Sequence, residues 1–165
     1  MKKILFAALM LLAPLAASAQ KFGHFNSAEV VQLMPEYTAA QNELQTLAQQ
    51  YEDDLKRMQD EFQKKSEEFE KEQANLLENV RQRRQAELQD LYQRMQQTYN
   101  DNQQALQKAQ AEKLQAISEK VTAAVKKIGD EGGYVYIMDI TSGIPYISSK
   151  LSTDVTAELK KALGI

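Results

Sequence analysis

The chain has 165 residues, a formal net charge of −3, a single histidine and no cysteine. Lacking cysteine, it can have no disulfide, no thiolate metal site and no lipid-modified N-terminal cysteine. Its acidic balance argues against general nucleic-acid binding, which depends on neutralising phosphates.

The first residues read as an export signal. Met1-Lys2-Lys3 is a positive n-region, Ile4 to Leu12 a short apolar run, and Ala17-Ser18-Ala19 an A-x-A cleavage site. A membrane span needs about 20 apolar residues, more than this run holds. Residues 1–19 are therefore expected to be a signal peptide cleaved after Ala19, with a periplasmic chain starting at Gln20. Loss of Lys2 and Lys3 leaves 18 basic against 23 acidic residues, a mature net charge of −5.

Phe22 to Phe25 reads as a short aromatic strand. Asn26-Ser27 then caps a helical turn, Ala28 to Met34, that stops at Pro35. His24 sits in the alternating strand and reads as structural or surface-exposed rather than as a base.

From Glu36 to Ile128 there is neither glycine nor proline. As one helix this stretch would run about 140 Å at ~1.5 Å per residue, beyond any core the rest of the chain supplies. Its charge divides into two: Glu36 to Val80 holds 12 acidic and 5 basic residues, Arg81 to Ile128 holds 9 basic and 5 acidic. Adjacent segments of opposite sign favour folding back into a hairpin. Leu44, Leu47, Tyr51, Leu55, Met58, Phe62, Phe69, Leu77 and Val80 follow a 3-4-4 step, a period of ~3.67 residues per turn. Leu88, Leu91, Met95, Tyr99, Leu106, Leu114, Ile117, Val121, Val125 and Ile128 are expected to carry the stripe back. The midpoint falls at Gln82, so the tip is expected near 79–85, within the cluster Arg81, Arg83 and Arg84. No Gly or Pro marks it.

After Gly129 and Gly132-Gly133, Tyr134 to Ile140 reads as a strand apolar on both faces. Ile144 to Ile147 reads as its hairpin partner, with Pro145 at an edge or bulge. Ser152 or Thr153 is expected to cap a last helix through Leu163. The fold class is α+β, mostly α: a long antiparallel coiled-coil hairpin (36–128) inserted in a small β-containing body (20–35 plus 129–165). A body of about 50 residues buries a marginal core, so oligomerisation through Phe22, Phe25, Val135, Tyr136, Ile137, Met138 and Ile144 is expected.

No H-E-x-x-H, G-x-S-x-G, phosphate-loop or calcium-loop pattern occurs. The chain reads as a non-enzyme without cofactor or metal. The paired carboxylates Glu52-Asp53-Asp54 and Glu67-Glu68 read as a solvated helix face.

At this point the residues resemble the Skp/OmpH family of periplasmic chaperones. The resemblance spans the mature chain and is carried by Phe22-Gly23-His24-Phe25-Asn26-Ser27 with Leu33-Met34-Pro35-Glu36, and by Tyr134–Asp139 with Leu151-Ser152-Thr153-Asp154-Val155-Thr156. It implies a homotrimer whose strands build a central barrel that trimerises the body. The hairpins would enclose a cavity for unfolded outer-membrane proteins, without ATP. The mature charge of −5 departs from basic members of that family and argues against bulk contact with anionic membrane surfaces. Leu76, Tyr92 and Leu114, which lie off the main stripe, are candidates for holding clients, with Arg81, Arg83 and Arg84 as an electrostatic tip. The alternative is a structural envelope coiled-coil adaptor or spacer.

Overall fold

The computed structural model describes residues 20–165, so the expected signal peptide lies outside the described residues. Two compact units divide the chain: a body from the two ends, reaching Val31 and resuming at Lys120, and an arm spanning Gln32–Glu119.

The arm begins where proline permits it. Pro35 occupies the first turn of α2 (Pro35–Glu72), which follows α1 (Ser27–Leu33). There its missing N–H leaves no hydrogen bond unmade. The helix then tightens into a 3-10 turn, Gln73–Asn75, and Leu76 is extended at φ −82° and ψ 145°. The long helix α3 starts at Glu78 and runs 55 residues to Gly132. The reversal therefore stands at 73–77, ahead of the expected 79–85. No residue in it adopts positive φ, a conformation confined to Gly133, Gly143 and Gly164 among the described residues. A turn built without a left-handed residue has no need of glycine.

Cross-arm partners rise on one helix as they fall on the other, which makes the pair antiparallel. Glu72 meets Arg84 at 3.2 Å, Phe62 meets Tyr92 at a 5.9 Å ring separation, and Glu43 meets Lys113. On α2 the partly covered residues are Leu44, Leu47, Tyr51, Leu55, Met58, Phe62, Ser66 and Phe69, the expected 3-4-4 step. On α3 the buried Leu91 and the partly covered Leu88, Met95, Thr98, Asn102, Ala105 and Ala109 follow a 3-4 heptad step, and the expected Leu106 is partly covered beside them. Tyr99 and Leu114, placed on the stripe by hydrophobicity alone, are 53% and 45% exposed. Small and polar residues hold the seam positions that the larger apolar ones were expected to take.

The body is a three-stranded sheet, all parallel, in the order β2-β1-β3. Its strands are β1 (Lys21–Phe25), β2 (Tyr134–Asp139) and β3 (Ser152–Asp154). Phe22 to Phe25 pair with Tyr136 to Asp139 on one side, and Phe22 to His24 with Ser152 to Asp154 on the other. Ile144 to Ile147 forms no strand. Pro145 within it has no N–H for a ladder, and Gly143 at φ 80° turns the chain away. Ser152 and Thr153 extend as β3 rather than capping the last helix, α4 (Thr156–Leu163). Val155 holds the N-cap position, and the preceding Asp154 accepts from Thr156 N at 2.9 Å and Thr156 Oγ1 at 2.6 Å. Phe25, Val30, Val121, Ile128, Val155 and Leu159 make the body's core.

Two carboxylates hold this body together in a pH-dependent way. Hydrogen bonds from Thr156 keep the Asp154 carboxyl below the ordinary aspartate range. At Asp139 burial pushes the pKa up, but hydrogen bonds from Ser27 and Thr141 outweigh it and the net shift is downward. A depressed folded-state pKa contributes stability above the unfolded value, and that stability is lost as pH falls through the folded one. The urea midpoint of the body is therefore expected to hold above about pH 5 and to drop below about pH 4, near the unfolded aspartate pKa. Asp154→Asn should flatten that pH dependence and lower the midpoint at neutral pH.

Candidate functional site

Among the described residues, no group of three or more His, Cys, Asp or Glu is placed to hold a metal. The histidine is a structural tie: His24 Nδ1 lies 2.8 Å from Ser152 Oγ, joining β1 to β3. The Asp154 carboxylate beside it is engaged by Thr156. Among the described residues, both units carry exposed apolar side chains.

On the body, the open surface follows β2. Val135 is 58% exposed, and Tyr136 and Met138 are nearly as open. Tyr136 stacks on Phe22 with ring centroids 4.7 Å apart. Ile137 and Ile144 are partly covered, whereas Phe25 is buried in its own chain's core. Of the seven residues expected to join copies, Val135, Tyr136 and Met138 thus present themselves, while Phe25 belongs to the interior. β2 and β3 are the outer strands of the sheet, so each leaves a ladder edge unpaired among the described residues.

On the arm, three of the sequence candidates sit apart from one another. Leu76 is partly covered in the turn, beside Leu77, which is 74% exposed. Tyr92 is half exposed and packs an edge on Phe62. Leu114 lies exposed farther along α3. Around Tyr92 a groove of about 540 Å³ opens between the helices, floored by Leu55, Met95 and Tyr99 and edged by Gln59, Gln96 and Asn100. Sequence reasoning missed this groove, because Tyr99 and Leu55 read as seam; the signal available was the aromatic pair Tyr92 and Tyr99, seven residues apart on one helix face. A second hollow of about 230 Å³ shares Leu55 and Tyr99 with this groove and is lined besides by Ala48, Tyr51, Asn102 and Leu106. The Asn102 side-chain N–H2 is buried there without an acceptor.

The arginines lie past the turn, in the first turns of α3, and each has a carboxylate beside it. Arg81 pairs with Glu78, Arg83 with Glu87 at 3.7 Å, and Arg84 with Glu72 across the turn. The cluster is locally compensated. No helix among the described residues is long and apolar enough to cross a membrane.

A long antiparallel helical hairpin inserted between strands of a small parallel sheet defines a mostly α, α+β fold class. The family described as outer membrane protein (OmpH-like) matches residues 21–163, and the chain belongs to it. Among solved structures, the chain resembles an OmpH-like protein from Caulobacter crescentus CB15 that is described as a candidate outer membrane chaperone. The TM-score is 0.74 and the identity 14%, over 87% of this chain and 83% of that one. At that identity the likeness is one of fold. Curated proteins give no match.

The seam makes its own prediction. Leu91 is 2% exposed between the helices, so Leu91→Ala should cost about 2–5 kcal/mol by transfer and cavity terms. Tyr99→Ser and Leu114→Ser, at open positions, should stay within about 0.5–1 kcal/mol. Thermal melts followed at 222 nm, with hydrogen exchange along α3, separate the two outcomes.

Proposed function

We propose that the chain is a periplasmic, ATP-independent holdase that binds unfolded outer-membrane β-barrel proteins and prevents their aggregation. The observation that carries this reading is the open apolar surface on a strongly charged chain: Leu77, Tyr92, Tyr99 and Leu114 on the arm, and Val135, Tyr136 and Met138 on the body. Membership of the OmpH-like family supports it. An unfolded barrel strand alternates apolar and polar residues, and scattered aromatic, Leu and Met contacts hold such a segment through many weak, adaptable interactions. In this proposal the body joins three copies through β2 and the free strand edges, and the arms receive the client. No nucleotide takes part; capture and release follow from binding alone.

The tip arginines join the proposal in a reduced role. With a carboxylate beside each, they steer anionic segments only where screening is weak, since exposed charges are screened beyond about 10 Å at 0.1 M salt. The exposed Leu77 in the turn favours a second reading, a structural adaptor with a fixed partner at an apolar tip. The two differ in breadth: an adaptor loses its function with Leu77→Ser, a holdase keeps nearly all of it.

The test is light scattering of an unfolded β-barrel diluted from urea, with and without the purified protein and without nucleotide. A holdase suppresses scattering at stoichiometric ratio; unchanged scattering refutes the reading. In the same assay Arg81, Arg83 and Arg84 replaced by Gln should slow capture at low salt and leave it unchanged at high salt. Tyr136→Asp should dissociate the assembly in sedimentation equilibrium, because a charge without a partner in an apolar interface is strongly unfavourable.

A further inference from the structure

The groove beside Tyr92 differs chemically from the surface around it. The chain is 26% charged, and a neighbouring groove on α2 is lined by Asp53, Asp54, Lys56, Arg57 and Asp60. No charged residue lines the groove at Tyr92. Its floor is apolar and aromatic, and its edges are three primary amides. Some amides on the arms are engaged by carboxylates one helical turn away, as in Gln49 with Asp53, Gln63 with Glu67 and Gln97 with Asp101, and many others are not. The side chains of Gln59, Gln96 and Asn100 have no such partner among the described residues.

A primary amide offers donors and an acceptor together, which is what an extended peptide backbone lacks when it leaves water. A helical ligand has already satisfied its backbone internally and gains nothing from these amides. A charged ligand finds no counter-charge and loses its hydration. From Tyr92 to Asn100 the helix rises about 12 Å at ~1.5 Å per residue, enough for three or four residues of a strand at ~3.3 Å each. Two alternate side chains of such a strand can then face the floor made by Leu55, Tyr92, Met95 and Tyr99.

We propose that this groove is a docking site for an uncharged, extended peptide segment, with alternate apolar side chains on the Tyr92–Tyr99 floor and the backbone paired to Gln59, Gln96 and Asn100. The proposal rests on the holdase reading for its biological ligand and specifies which stretch of a client is held: the neutral, strand-forming one. It also separates recognition from the arginine cluster, so a client's charged turns contribute nothing here.

The probe is a fluorescent peptide of about ten residues, the length of a barrel strand, alternating Leu or Tyr with Ser or Thr. It is titrated by anisotropy against the purified protein. Two comparison peptides carry the same side chains with N-methylated backbone amides, or an amphipathic helical pattern. The variants are Tyr99→Ala and the double change Gln59→Glu with Gln96→Glu, all at exposed helical positions, with melting temperature recorded for each. The neutral strand peptide should saturate. Each variant should weaken it roughly tenfold, the effect of losing one principal contact in an interface. N-methylation should weaken it similarly, which contact with side chains alone would not produce. Unchanged affinity in both variants overturns the proposal, as does preference for the helical peptide. A shifted sedimentation coefficient in the variants also overturns it, since a second copy of the chain would then be the occupant. Peptide binding without suppression of barrel aggregation would refute the holdase reading and leave the groove standing. Suppression with unaltered peptide binding in the variants would do the reverse.

Discussion

The middle strand is the constraint on which everything else depends. β1 has five residues, and both of its neighbours come from the last part of the chain: β2 on one side, β3 on the other. Parallel pairing requires a crossover, commonly a single helix. Here the crossover from β1 to β2 is α1 and the entire arm. A glycine-free segment as long as this one could serve only by reversing on itself, and the antiparallel contacts from Glu43–Lys113 to Glu72–Arg84 are that reversal. Gly23 makes the central strand approachable: a Cβ there would lie 3.1 Å from both Ile137 and Tyr134, tighter than ordinary packing. At the other end of the crossover, Gly133 at φ 65° releases the chain from α3 into β2.

Both units are economical with apolar residues and unequal in what they hide. The body buries Val30, Val155 and Leu159 fully while Val135 and Tyr136 stay open. The arm buries Leu91 while Thr98, Asn102 and two alanines occupy the same seam. A seam with an amide lacking its acceptor and two hollows that share Leu55 and Tyr99 belongs to the low-stability end of a structure, where local opening is easy. The surface ion pairs of the arm contribute little each; their use is to keep a long helical pair soluble around its apolar openings.

Much of this was legible from residue order. The run without Gly or Pro announced the hairpin, its opposite-sign halves announced the fold-back, and the Tyr134–Asp139 strand and the last helix stood out by composition. The 3-4-4 step of α2 is the step the helix uses, down to Ser66 in a seam position. What was hidden has physical causes. The turn at 73–77 uses only right-handed and extended backbone, so no Gly or Pro had to mark it. On α3 the seam follows a heptad through Thr98 and Asn102, and a reader tracking large apolar side chains is drawn to Tyr99 instead. β3 is Ser-Thr-Asp, three polar residues whose strand identity comes only from the His24 and Phe22 neighbours it meets in space. The apolar Ile144–Ile147 segment, expected beside β2, forms no strand because Pro145 has no N–H for a ladder.

The nested pattern of arm contacts bears on how such a topology can be reached at all. β1 has its partners on both edges more than a hundred positions away in sequence. Meeting them directly would mean closing one very large loop, at an entropic cost growing as about (3/2)RT ln n. The arm supplies a zipper. Glu72 and Arg84 can meet across a short turn, then Phe62 and Tyr92, then Glu43 and Lys113, each contact shortening the loop left for the next. By the time β2 appears, most of the separation has been reeled in. The last strand to arrive, β3, is therefore also the latch: until Ser152 to Asp154 have crossed, β1 is held on one side only.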